Sequence, residues 1–118
     1  MKIQATSISA SIADAEYDDL AYIYARGRDG YVFSLSRQPD SPHIEVIVQD
    51  QINCKTGEVQ AKLSATSLQV VVPEYVAEKL SGESEYEVVF AEPGIDNHQT
   101  HEALCAIFLG VGFYENAL

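Results

Sequence analysis

The residues best equipped for chemistry are His98, His101, Glu102 and Cys105, with a second cysteine at Cys54. Histidines three apart on one helix can share a metal ion. A structural zinc site, however, needs four protein ligands, and neither a cysteine pair nor a third nearby histidine supplies them. The order His-x-x-His-Glu also differs from the His-Glu-x-x-His of zinc proteases. The histidines are therefore expected to be structural and polar, with no metal and no cofactor. Cys105 lies between Leu104 and Ile107 on an amphipathic pattern, which predicts a buried, inert thiol. Cys54 is expected in a turn beside Lys55, and neither cysteine has an evident histidine and acid partner. Two unpaired thiols fit a reducing cytoplasm.

Other catalytic signatures are missing. The chain has no Gly-x-Ser-x-Gly elbow, no phosphate-binding loop and no dinucleotide fingerprint, and Gly27-Arg28-Asp29-Gly30 reads as a turn. With 18 acids, a close carboxylate pair somewhere is inevitable and carries no signal. The expectation is a protein that is not an enzyme.

Charge is the stronger signal. Against 18 acidic residues stand 7 basic ones, a net of −11 on 118 residues. Phosphate binding requires clustered Lys and Arg, so nucleic acid is a poor partner, and an anionic membrane surface is disfavoured for the same reason. A basic protein is the natural partner. The acids fall in three groups. Asp14, Glu16, Asp18 and Asp19 crowd one loop, Glu83, Glu85 and Glu87 alternate along one strand face, and Glu74 and Glu78 are one helical turn apart. Three like charges on one strand face repel, a cost that solubility alone does not require. Tyr17, Tyr22, Tyr24 and Tyr31 fall near the first acidic loop, and acids mixed with exposed tyrosines suit a protein interface. Asp14, Glu16, Asp18, Asp19, Glu83, Glu85 and Glu87 are accordingly the candidate contact surface.

These residues must be positioned by one domain, given the length and an apolar fraction of 47%. Alternation predicts strands over 3–9, 20–25, 31–37, 43–49, 58–65, 68–72 and 85–91. Leu20, Tyr22 and Tyr24 face one way and Ala21, Ile23 and Ala25 the other. Asp29-Gly30 marks a hairpin turn, and Asn53 to Gly57 another turn. Pro73 opens a short helix that Gly82 ends. A second helix starts near Asp96, where Asp96 and Gln99 have the form of a capping box, and Gly110 and Gly112 break it. The expected fold is α+β, mainly an antiparallel sheet of about six strands with two helices in the C-terminal half packed on one face. The first fifteen residues show neither a secretory signal nor a membrane span, and a cytoplasmic location follows.

The middle of the chain carries a recognisable order of features: His43-Ile44-Glu45-Val46, Asp50-Gln51-Ile52-Asn53, Gly57-Glu58-Val59, Lys62-Leu63-Ser64 and Leu68-Gln69-Val70. It resembles the immunity protein 10 family of bacterial polymorphic toxin and contact-dependent growth inhibition systems. Tyr22-Ile23-Tyr24 and the segment 31–37 look like that family's early strands, and segments 77–80, 86–90 and 103–108 like its closing helix, strand and helix. The resemblance implies a cytoplasmic protein that binds and neutralises one cognate toxin domain. Matching residues such as Glu45, Asp50 and Gln51 would serve the fold, because the toxin-binding surface of such proteins is the variable part. A basic nuclease domain is the toxin that the acidity suits best, since its groove must hold phosphates. The alternative reading is a non-catalytic adaptor or small-ligand binding domain whose acids only solubilise it. The oligomeric state is left open.

Overall fold

A computed structural model describes residues 1–49, 51–90 and 97–118 of the chain. Its strands are β1 (Lys2–Asp14), β2 (Leu20–Gly27), β3 (Val32–Arg37), β4 (Ile44–Val48), β5 (Ile52–Thr56), β6 (Gln60–Leu63), β7 (Ser67–Val71), β8 (Glu85–Phe90) and β9 (Phe113–Asn116). A 3-10 turn (Ala15–Tyr17) follows β1, and two helices, α1 (Glu74–Lys79) and α2 (Asn97–Ile107), flank β8. The strands form one sheet in the order β5-β4-β3-β2-β1-β8-β7-β6-β9.

This corrects the expected six-stranded antiparallel sheet. The sheet has nine strands and is mixed, because β1 runs parallel to β8 and β6 parallel to β9. The α+β class still describes it. Two of the nine strands were not expected as strands. The turn expected from Asn53 to Gly57 is instead mostly strand, since β5 runs Ile52–Thr56 and pairs with β4 from Ile44↔Thr56 to Val48↔Ile52. Residues 113–116, beyond the glycines that break the second helix and not expected as a strand, form β9. The expected capping box involves Asp96, and the resemblance includes Asp50; both lie outside the described residues.

The sheet must curl. β5 and β6 are seven places apart in the strand order, about 34 Å in a flat sheet at roughly 4.8 Å per strand. Yet the chain crosses from Thr56 to Gln60 in four peptide steps, at most about 14 Å. The two ends of the sheet therefore approach each other. The rings of Phe33 on β3 and Tyr86 on β8 confirm it, with centroids 4.9 Å apart although β2 and β1 lie between their strands. Inside the curl lie Ile23, Phe33, Leu35, Ile44, Val46, Val48, Leu63, Leu68 and Tyr86, all essentially inaccessible. Helix α1 adds Val76 and Ala77 to the core, and α2 adds Thr100, Ala103, Leu104 and Ile107 while packing on β1, β2 and β3.

Two local devices make this geometry possible. Along β1 the inward residues are Ile3 and Ala5, then Ile8 and Ala10. The change of phase comes at a bulge, where Ala5 pairs with Gly27 but Ser7 with Arg26, leaving Thr6 as the extra residue. An added residue bends a strand and restores the facing that a period of two would otherwise invert. At the other end of the chain, Gly112 has φ +66, and a Cβ there would sit 2.6 Å from the Val59 carbonyl oxygen. Only glycine lets the chain pass that close, so that the Phe113 N–H donates to the same carbonyl and β9 joins β6. Arg37 ties α2 to the sheet, donating to the Ile107 and Leu109 carbonyl oxygens at the helix C-terminus and to Ser41 O.

Candidate functional site

On the outer face, the register of three strands builds a trough. Tyr22 pairs with Ser36 and Tyr24 with Ser34 across β2 and β3, while Ser34 pairs with Ile47 and Ser36 with Glu45 across β3 and β4. Large side chains on β2 and β4 thus flank two small ones on β3. Ser34 and Ser36 form the floor and are buried by their neighbours. With Ser9, Tyr17 and Leu20 closing the sides, the pocket encloses about 360 Å³. It arises because the inward partners (Ala21, Ile23, Ala25, Phe33 and Leu35) are all taken by the core, so period-2 alternation sends the tyrosines and serines outward.

The first acidic cluster stands at one end of this trough. Asp14 caps the 3-10 turn, its Oδ1 accepting from the Glu16 N–H at 3.0 Å. Its Oδ2 accepts from the Tyr22 hydroxyl at 3.3 Å. Burial first, and then the Asp14 charge, push the Tyr22 phenol above its ordinary range, so it stays a neutral donor to the carboxylate. Asp18 and Asp19 both adopt left-handed backbone, with φ of 57° and 62°, and the Asp19 N–H closes the turn on Asp14 O at 2.9 Å. Left-handed aspartate is tolerated but costs free energy relative to glycine. Tyr17 projects from the turn with 59% of its surface exposed. Among the described residues, no cation lies within ion-pair distance of Asp14, Glu16, Asp18 or Asp19.

The second cluster differs. Glu83 precedes β8 and so does not belong to its alternation, while Glu85 and Glu87 lie on the strand opposite the buried Tyr86 and Val88. Cations meet them. Lys2 pairs with Glu87 across the parallel β1–β8 register, Nζ to Oε1 at 3.7 Å, and the Met1 amino group lies 3.7 Å from Glu83. The like-charge repulsion expected along this face is thus offset by the neighbouring strand. The two clusters flank opposite ends of β1 and do not form one surface. Tyr31, grouped with the first cluster by sequence proximity, belongs with the second, where Glu83 and Asp29 act on it and burial raises its phenol. Glu74 and Glu78 are exposed on the short α1.

The histidines do not converge. His98 Nε2 meets Glu102 Oε1 at 2.7 Å, whereas His101 turns to the other flank of α2. Its Nδ1 is 2.7 Å from the Tyr114 hydroxyl, and its Nε2 is 3.6 Å from Cys105 Sγ. Among the described residues, no group of three His, Cys, Asp or Glu could hold a metal ion. Both cysteine expectations are corrected. Cys54 lies within strand β5 and is buried, and Cys105 is exposed. On α2 the buried stripe runs through Thr100, Ala103, Leu104 and Ile107, which places Cys105 outside it and four residues from His101. That i, i+4 spacing was the signal in the sequence for their contact.

No helix among the described residues is long and apolar enough to cross a membrane. Comparison with family models, with curated proteins and with solved structures gave no match to this chain. The resemblance to the immunity protein 10 family rests on the quoted residues alone.

Proposed function

We propose that this chain binds and neutralises a basic protein domain, a toxin of the nuclease type, by electrostatic and steric occlusion and without turnover. The observation that carries the reading is the acidic turn Asp14–Asp19, which meets no cation among the described residues, beside the tyrosine-lined trough. Unpaired carboxylates attract a cationic partner over a distance. Tyrosines offer large contact area at small entropic cost, and the trough gives a protruding side chain a place to anchor. The immunity-protein resemblance supplies the biological setting, a cytoplasmic antidote to one cognate toxin. The contact surface narrows to Asp14, Glu16, Asp18 and Asp19 with Tyr17, Tyr22 and Tyr24, and Glu83, Glu85 and Glu87, at the other end of β1, fall outside it.

The test is co-purification with the C-terminal domain encoded by the adjacent upstream reading frame, and rescue of cells expressing that domain. A neighbouring gene that encodes no toxin, or a domain that fails to co-purify, would remove the reading. The trough's volume also favours a second reading, a small-ligand site, since pockets of about 300–1,000 Å³ hold such molecules. Salt separates the two: a toxin interface weakens steeply with ionic strength, whereas an uncharged ligand in the trough would not respond.

A further inference from the structure

Cys105 and His101 lie on α2 and do not line the trough, and the proposed toxin binding uses neither. Cys105 Sγ is exposed on α2, with His101 Nε2 at 3.6 Å and Nδ1 at 3.9 Å. The same Nδ1 lies 2.7 Å from the Tyr114 hydroxyl, which holds the imidazole. Tyr114 is itself fixed, its ring stacked on Phe108 at 5.8 Å and centred 5.7 Å from the His101 ring. The three residues come from α2 and β9, which meet only because Gly112 lets the chain turn back. Nucleophile, base and a group orienting the base are the three parts of an assisted thiol. Cys54 is the internal control. It is 8% exposed, and its Sγ faces the Lys55 carbonyl oxygen at 3.8 Å.

We propose that Cys105 is a thiol–disulfide exchange site, open to modification by a small disulfide, with His101 as its base and Tyr114 as the positioning residue. In the reaction Cys105 Sγ attacks one sulfur of the disulfide. A new S–S bond forms to Cys105 and the disulfide's own S–S bond breaks. The Sγ proton passes to His101 Nε2 and from there to the departing thiolate, which leaves as a thiol. Cys105 sulfur is oxidised to the disulfide level and the departing sulfur is reduced, so the disulfide is the only oxidant needed. For Nε2 to accept the proton, Nδ1 must carry one, and the Tyr114 oxygen is placed to receive that Nδ1–H. Burial, and then the charge of Cys105, push the Tyr114 phenol up to about 12, so it does not compete for the transferred proton.

Glutathione disulfide is the probe, and intact-mass spectrometry with peptide mapping gives the rate at each cysteine in the full chain. One glutathione adduct should appear at Cys105, and Cys54 should stay unmodified. His101→Ala should slow the adduct about 100-fold or more, the low end of what a positioned base contributes, and added imidazole should restore part of the rate. His101→Gln, which conserves a polar side chain on the helix, should be equally slow. Tyr114→Phe keeps the ring on Phe108 and should slow exchange by a smaller factor, also recovered in part by imidazole. Equal rates at Cys105 in the wild type and both His101 variants would overturn the proposal, as would modification of Cys54 at the rate of Cys105. Toxin binding is a separate measurement, so the two proposals fail independently.

Discussion

The two acidic clusters that flank β1 look alike as strings of residues and differ as surfaces. Glu83 and Glu87 are met by the Met1 amino group and by Lys2, because the parallel pairing of β1 with β8 sets Lys2 against Glu87. Asp14 ends β1 opposite the apolar Leu20 and accepts from the Tyr22 hydroxyl, and Glu16, Asp18 and Asp19 lie on the turn beyond it. A sheet neutralises its charges through cross-strand neighbours; a turn at the end of a long strand has none. Of the two clusters, the second is thus partly met by cations and the first is not, and the first is the one proposed for binding.

That contrast can be broken by charge reversal. Replacing Asp14, Glu16, Asp18 and Asp19 with Lys should weaken binding of the toxin domain by about 100-fold or more, since close charge pairs in such interfaces couple by several kcal/mol. The same reversal at Glu83, Glu85 and Glu87 should leave the affinity within a few-fold, measured by calorimetry on both variants. A smaller effect sharpens the role of the trough: Tyr17→Ala or Tyr22→Ala should each cost about 2 kcal/mol of binding, as anchoring tyrosines do, with little change in thermal midpoint for the exposed Tyr17. Raising the salt from low to about 0.5 M should slow association about tenfold with little change in dissociation, as stopped-flow mixing would show, because steering is screened over a shorter distance.

Stability should separate the clusters in the opposite sense. Asp19→Gly relieves a left-handed residue with φ 62 and should stabilise the fold by up to about 1 kcal/mol in urea denaturation, while weakening the toxin complex. Lys2→Ala removes the partner of Glu87. Because both side chains are partly exposed, at 63% and 36%, the loss should be under about 1 kcal/mol.

What could be read from the sequence follows from the range of each interaction. The faces of β2, β3 and β4 were legible because period-2 alternation is local: Ala21, Ile23, Phe33, Leu35, Ile44 and Val46 are all buried as their spacing requires. β5 was not, because Asn53, Lys55 and Thr56 carry turn chemistry and its inward face holds only the half-buried Ile52 with Cys54 and Thr56. β9 was hidden behind Gly110 and Gly112, and its pairing with β6 joins segments about fifty residues apart. The parallel pairing of Lys2 with Glu87 has no local signature, so the neutralisation of the second cluster could not be seen. The acidic loop and its tyrosines were legible as a set, apart from Tyr31. Their arrangement around a serine-floored trough was not, because it depends on the cross-strand register. Cys105 was misread by counting Leu104 and Ile107 as its neighbours, when the helical phase set by Thr100, Ala103, Leu104 and Ile107 turns it outward.

The central claim is that the turn 14–19 and the trough of β2–β4 face a basic partner. The test is an amide NMR titration of the isotopically labelled chain with the proposed toxin domain, the C-terminal domain encoded by the adjacent upstream reading frame. Shifts concentrated at residues 14–24 and 34–47, with residues 83–87 unmoved, are the predicted result. Shifts centred on 83–87, or none at saturating toxin domain, would contradict it.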